Sequence, residues 1–292
     1  MEGSESMVGL LASALRVAVP LIFGACGGMV SERSGVINIA IEGFMLVGAF
    51  FGAYFALTFH SPWLGLAGAM LVGAALGGLY GLMVIPGRGN QVVIGTAFNL
   101  LAVGLTPLLC KFIYETTNAS PSLPAEERFD WAPLGLALAL PLVLHFWFGY
   151  TRAGLRLGFA GAKPEALVTQ GLRPKVIRWW AVTLGGSLAA AGGATLTVYL
   201  SSGFARNITA GRGFIALAAM ILGRWRPLPV LAACLMFGLA DAVQMRWQGQ
   251  LWGGGGVPLQ LVQILPYLVT MLVLVFWAGA DQAPAALGKG EA

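Results

Sequence analysis

Apolar stretches of about 20 residues, long enough to cross a bilayer core as helices, recur near 8–30, 36–57, 63–85, 92–114, 131–150, 177–200 and 260–280. Two more, 213–223 and 228–245, are separated by Gly223-Arg-Trp-Arg-Pro-Leu-Pro229. The first of these gives only about 16 Å of helix, too little to cross alone. The pattern predicts an all-α polytopic membrane protein of about nine transmembrane helices, the seventh broken. Composition agrees, with 58% hydrophobic and 10% charged residues and a mean hydropathy of +0.80, against roughly 25% charged residues in soluble domains. The 42 glycines suit helices that approach closely in a membrane. Residues 1–292 read as one transmembrane domain with no room for a separate soluble unit. The start Met1-Glu-Gly-Ser-Glu-Ser-Met7 is acidic where a signal peptide is basic, so 8–30 is expected to be a retained span.

Charge sets the expected orientation, because cytoplasmic loops accumulate Lys and Arg. The 151–178 loop carries Arg152, Arg156, Lys163, Arg173, Lys175 and Arg178 against Glu165 and reads as cytoplasmic. The acidic 115–130 loop, one span earlier, reads as external, with Glu115, Glu126, Glu127 and Asp130 against Arg128. Counting spans then places the N-terminus outside, and Arg33, Arg88, Arg224, Arg226 and Lys289 inside with the C-terminus. A weak repeat lays 38–48 on 213–223, pairing Met45 with Met220 and Gly48 with Gly223, each copy preceded by Gly27-Gly28 or Gly192-Gly193. The copies fall five spans apart and so run oppositely. That predicts an inverted repeat of spans 1–4 and 6–9 (8–114 and 177–280), with 131–150 as connecting helix. Inverted repeats build transport pathways near the midplane.

The most informative polar run is Ser31-Glu-Arg-Ser-Gly-Val-Ile-Asn-Ile-Ala-Ile-Glu-Gly43. An acidic side chain at the bilayer centre costs roughly 2.5–3.5 kcal/mol, so Glu42 must face protein or a water-filled path, with Gly35 and Asn38 opening the helix beside it. Asn38, Glu42, Asn99, Asp241 and Gln244 either line such a path or pair between helices, where each bond contributes roughly 0.6–2 kcal/mol. Arg16, in the first span, is a candidate neutralising partner for Glu42. In the cytoplasmic loop, Pro164, Glu165 and Gly171 mark a short surface helix of about seven residues, either a docking element or a basic connector on anionic lipid.

Other motifs carry less. Cys26, Cys110 and Cys234 lack CxxC spacing and read as small buried hydrophobes. His60 and His145 lie at span ends without carboxylate or cysteine at ligand spacing, so no metal or catalytic site is expected. Trp131, Trp179, Trp180, Trp225, Trp247 and Trp252 suit interfacial belts. The Gly253–Gly256 run lacks the strand, lysine and helix of a phosphate loop and reads as an outer turn.

Leu21-Ile-Phe-Gly-Ala-Cys-Gly-Gly-Met-Val-Ser-Glu-Arg-Ser-Gly-Val-Ile-Asn-Ile-Ala-Ile-Glu-Gly43 resembles the opening of the short permease subunit of bacterial nucleoside and simple-sugar ABC importers. The likeness continues through Gly89-Asn-Gln-Val-Val-Ile-Gly-Thr-Ala-Phe-Asn-Leu100, Gly154-Leu-Arg-Leu, the Gly161 loop and Gly211-Arg-Gly-Phe-Ile-Ala-Leu-Ala-Ala-Met-Ile-Leu-Gly-Arg-Trp-Arg-Pro227. The superfamily also holds ribose and branched-chain amino-acid permeases, and spirochaetal riboflavin importers use permeases of this kind. The resemblance implies a second, similar permease as partner (a heterodimer), two ABC ATPase subunits inside, and a solute-binding lipoprotein outside, all at a bacterial cytoplasmic (inner) membrane. The solute implied is a nucleoside or related ribose-containing molecule, with riboflavin or a simple sugar as alternative. ATP hydrolysis is then the partners' chemistry, so this chain is no enzyme and needs no cofactor, metal or nucleic acid. The ATPases would grip Lys163, Pro164, Glu165, Ala166, Thr169, Gln170 and Gly171. There Gly161-Ala-Lys-Pro-Glu replaces the more familiar Gly-Glu-Asn-Pro-Arg/Lys, exchanging an acid for a base. The implied pathway or gate is Asn38, Glu42, Gln91, Asn99 and Phe214. A proton-coupled transporter using Glu42 is the competing class.

Overall fold

The computed structural model describes residues 2–251, 271 and 283–288. Its order is α1 (Glu2–Arg33), α2 (Ile41–Phe59), α3 (Pro62–Val84), α4 (Gln91–Tyr114), α5 (Ala132–Tyr150), α6 (Arg152–Ala162), α7 (Pro164–Val168), α8 (Pro174–Thr195), α9 (Arg212–Leu222) and α10 (Pro227–Leu251). Helix starts follow local chemistry. Pro62, Pro164 and Pro174 occupy first-turn positions, where a missing N–H costs nothing. Asn90 caps α4 by accepting from Val92 N (3.0 Å) and Val93 N (3.2 Å), and Thr151 caps α6 by accepting from Gly154 N. Among the described residues the only β pairing is an isolated Ala119–Ala205 bridge.

Among the described residues seven helices are long and apolar enough to cross a membrane, from Met7–Arg33 to Pro227–Arg246. These seven, with the short helix Arg212–Leu222, account for eight of the nine stretches expected, the seventh of them expected to be broken. The stretch at 213–223 forms α9, an 11-residue helix of about half a bilayer. The expected span 260–280, the Gly253–Gly256 turn, Trp252 and Lys289 lie outside the described residues. Where the second span was expected from 36, α2 starts at Ile41, and the backbone from Ser34 to Ala40 is non-helical. Gly35 has φ +98°, a left-handed conformation that admits glycine without steric cost. A second non-helical stretch, 201–211, leads from the π-turn Leu196–Leu200 into α9. The loop 151–178 holds a whole helix, α6, where a connector was expected, followed by α7 as the short surface helix, with Gly171 at φ +73°.

Helix α8 is the centre of the bundle, buried on nearly all sides against α1, α2 and α3, whereas α4 and α5 lie at the periphery. Glycine makes these crossings possible, since close backbone approach is the main device of membrane helix packing. The contacts come in reciprocal pairs. Gly28 of α1 faces Met220 of α9, and Gly193 of α8 faces Met45 of α2; Gly24 meets Gly192, and Gly27 meets Ala189. A Cβ on Gly193 would lie 1.8 Å from the Met45 carbonyl oxygen, so no rotamer change relieves it. Gly193→Val is expected to destabilise the bundle by at least about 1–3 kcal/mol, seen as a lower melting temperature and loss of a monodisperse elution peak. An unchanged melt would show that α2 and α8 can separate freely.

Candidate functional site

The two non-helical stretches meet. The Glu42 carboxylate, at the start of α2 and only 7% exposed, reaches the start of α9. Its Oε1 accepts from Thr209 Oγ1 (2.6 Å) and Gly211 N (2.9 Å), and its Oε2 accepts from Gly213 N (2.7 Å). The first amides of a helix have no intrahelical partner, and a carboxylate there also meets the positive end of the helix dipole. Glu42 is therefore a cap supplied to α9 by a distant helix. Gly213 leaves the space for it, since a Cβ would sit 2.5 Å from the Glu42 Cα.

The other end of α9 is tied to the first half too. Trp225 Nε1, in the turn after α9, donates to Glu32 Oε2 (2.8 Å), and Glu32 Oε1 lies 3.4 Å from Asn38 N. Asn38 is fully buried and donates through Nδ2 to Ser31 Oγ (3.0 Å). The 34–40 segment is gripped along its length by other helices. Ile37 N donates to Gln91 Oε1 (2.7 Å), and Tyr80 Oη is 2.6 Å from Ile37 O. Asn99 donates to Ile39 O (2.9 Å) and accepts from Gly43 N (2.8 Å). Non-helical backbone at membrane depth is tolerated only where protein or water satisfies its groups, and here side chains of α3 and α4 do so.

On the α1 C-terminal side this joint touches the connector. Arg178 of α8, 5% exposed, donates from Nε to Ser34 O (3.1 Å) and from Nη2 to Ala160 O (2.9 Å). Gly35 and Gly161 approach so closely that a Cβ on Gly161 would collide with the Arg33 carbonyl at 2.2 Å. The segment 283–288 closes the arrangement, with Ala286 N donating to Gly161 O (2.8 Å) and Gly288 N to Gly35 O (3.2 Å).

Of the five expected pathway residues, the structure brings Asn38, Glu42, Gln91 and Asn99 into this joint. Phe214 stands apart, on α9 directly after Gly213 and 49% exposed. Asp241 is buried on α10, away from the joint's hydrogen bonds. Arg16 does not neutralise Glu42. It lies toward the other end of α1, its guanidinium 5.2 Å from the Tyr199 ring centroid and 5.8 Å from that of Trp131. In the connector, Lys163, Glu165, Thr169, Gln170 and Gly171 are exposed, Pro164 and Ala166 half-buried, and Leu167 buried as the anchor. Beside them Pro164, Val168, Leu172 and Val176 line a largely apolar groove of about 630 Å³. Sequence reasoning missed Glu32, Tyr80 and Arg178 as parts of the site. It also missed the contact of His60 Nδ1 with Glu127 Oε1 (2.5 Å) at the opposite end of the bundle.

Residues 10–274 match the model of the family described as branched-chain amino acid transport system / permease component. The chain is 33% identical over 302 residues to the nucleoside ABC transporter permease protein NupC of Lactococcus lactis, covering 96% of this chain and 95% of that one. It is 34% identical over 304 residues to the guanosine ABC transporter permease protein NupQ of Bacillus subtilis, again covering 96% and 95%. Among solved structures, an inward-facing ABC transporter assigned to the metal-chelate type matches in fold, with a TM-score of 0.52 and 17% identity over 91% of this chain and 85% of that one.

Proposed function

Because the chain belongs to the branched-chain amino acid transport permease family, we propose that it is the membrane subunit through which an ABC importer moves a nucleoside or related ribose-containing solute inward. The carrying observation is the near-full-length similarity to two nucleoside permeases. The chain is a multi-pass membrane protein whose relatives are non-catalytic permease subunits, and it works with ATPase and solute-binding components. In the finer reading a distinct second permease, two ATPases inside and a solute-binding lipoprotein outside complete a bacterial inner-membrane importer, with the N-terminus outside and the C-terminus inside.

The reciprocal pairs Gly28–Met220 with Gly193–Met45, and Gly24–Gly192 with Gly27–Ala189, support an inverted repeat of 8–114 on 177–280. They are the contacts that a two-fold axis between α1 and α8 would generate, since such an axis makes each contact self-complementary. The 131–150 helix then links the halves, and 151–178 is the coupling element. The ATPases grip Lys163, Pro164, Glu165, Ala166, Thr169, Gln170 and Gly171, seating against the apolar groove beside Val168. Displacement of α7 reaches the joint through α6 and Arg178, and the joint repositions α9. Asn38, Glu42, Gln91 and Asn99 set the geometry of this gate, because each is bonded within the protein, Asn38 through Nδ2 alone, its buried Oδ1 having no partner among the described residues. Phe214 offers an exposed aromatic face beside it, suited to stacking on a nucleobase.

The deciding experiment is uptake of labelled guanosine and uridine by the reconstituted importer. Vanadate-sensitive uptake is the expected result. Uptake that survives vanadate and collapses with an uncoupler would replace this reading with a proton-coupled one. Base stacking contributes about 1–3 kcal/mol per base, so Phe214→Ala is expected to raise KM for a nucleoside roughly 5- to 150-fold while leaving kcat near that of the parent. An unchanged KM removes Phe214 from the path.

A further inference from the structure

A cavity of about 380 Å³ opens at the α1 C-terminal end of the bundle, between the start of α4 and the start of α8. Its walls carry Arg88, Lys175 and Arg178, and no acidic residue lines it among the described residues. The starts of two helices lie in its lining, at Gln91 and at Lys175, and each carries the positive end of a helix dipole. Arg178 is fixed in place by the Ser34 and Ala160 carbonyls. Arg88 and Lys175 are exposed and reach in from either side. The back wall is Val36 and Ile37 of the joint, with Gln91. Val92, in the lining, and its neighbours Leu82, Met83 and Val93 on α3 and α4 are each 43% exposed or more, a bare apolar flank beside a basic pocket.

We propose that this cavity binds a phosphate group, and that its occupant is the headgroup of an acidic phospholipid whose acyl chains lie on the flank of α3 and α4. The chemistry is that of basic pockets between membrane helices on the cytoplasmic side, which hold acidic lipid headgroups. The cytoplasmic placement rests on the orientation given above; the binding itself does not depend on transport. A phosphate held there would contact the same Arg178 that clamps Ser34, so occupancy would stiffen the joint at its wall.

The test is native mass spectrometry of the purified importer after exchange into mixed micelles of phosphatidylglycerol and phosphatidylcholine. The wild-type permease is expected to retain phosphatidylglycerol selectively. Arg88→Gln with Lys175→Gln removes two cations, each contributing about a fivefold preference, so retention by the folded, monodisperse importer should fall roughly 25-fold. Arg152→Gln with Arg156→Gln removes the same charge elsewhere and should leave retention intact. Equal phosphatidylglycerol retention by wild type and the Arg88/Lys175 double variant, with no response of either to inorganic phosphate, overturns the site. Inorganic phosphate separates the sources. Lipid that stays bound in its presence assigns the headgroup. Stabilisation of the wild type alone by phosphate, without lipid retention, assigns the same pocket to a soluble phosphate.

Discussion

Glu42→Gln is expected to abolish more than nine-tenths of nucleoside uptake and to lower the melting temperature of the permease. The carboxylate accepts three hydrogen bonds at the start of α9, two from backbone amides and one from Thr209. Hydrogen bonds to a charged group contribute about 1.5–3 kcal/mol each, and an amide presents one acceptor oxygen and one donor where two acceptors are needed. Its NH₂ group would face either Gly213 N–H or the Thr209–Gly211 pair, donor against donor. The cost is about 2–4 kcal/mol from the lost charge and the orphaned amide, concentrated on a half-helix that must hold its place at the joint. Scanning fluorimetry and uptake in proteoliposomes would measure both effects. Wild-type uptake together with an unshifted melt would mean that α9 does not depend on this cap.

Arg178→Gln is expected to separate ATP hydrolysis from transport. The guanidinium spans from Ala160, at the end of α6, to Ser34, where α1 gives way to the joint. Glutamine is too short to bridge both carbonyls, and it leaves at least one of them buried without a donor. If the connector drives the joint through this contact, solute-stimulated ATPase activity persists while uptake falls about tenfold, so the ratio of molecules moved to ATP consumed drops. Arg178→Lys keeps the charge but cannot place two N–H groups in a fixed fork, and should recover only part of the ratio. A parallel fall in both rates would assign Arg178 to stability alone.

The break in the chain was legible because its residues conflict with a membrane span. Gly35, Asn38 and Glu42 all disfavour an uninterrupted helix there, and the helix stops at Arg33 and resumes at Ile41. What Glu42 binds was not legible. Its partners are two backbone amides and one threonine, and any segment of chain can supply amides. Charge alone pointed to Arg16, which lies near the opposite end of α1, beside Tyr199; helical rise separates it from the joint by most of a bilayer. Arg178 was counted only as one of six basic residues in a loop, since a sequence does not distinguish a solvated cation from one buried under two carbonyls. Helix α6 was overlooked because Gly154 and Gly158 dilute its pattern, although Thr151 at its cap is a recognisable start signal. The stretch 213–223 read correctly as too short to cross alone. Its short apolar length, 11 residues as a helix, carried that information, whereas the stretch that enters before it, 201–211, has no regular pattern to read.

The remote cap has a consequence for biosynthesis. Thr209 follows Glu42 by 167 residues, so a ribosome adding about 5–20 residues per second delivers the carboxylate roughly 8–35 s before its partners. During that interval α2 must rest at the translocon or in the bilayer with an unpaired acid at its leading turn. The hydrophobic length of the helix has to outweigh that burden unaided. Only the arrival of α9 relieves it, which makes synthesis of that short helix the step that commits α2 to its place in the membrane.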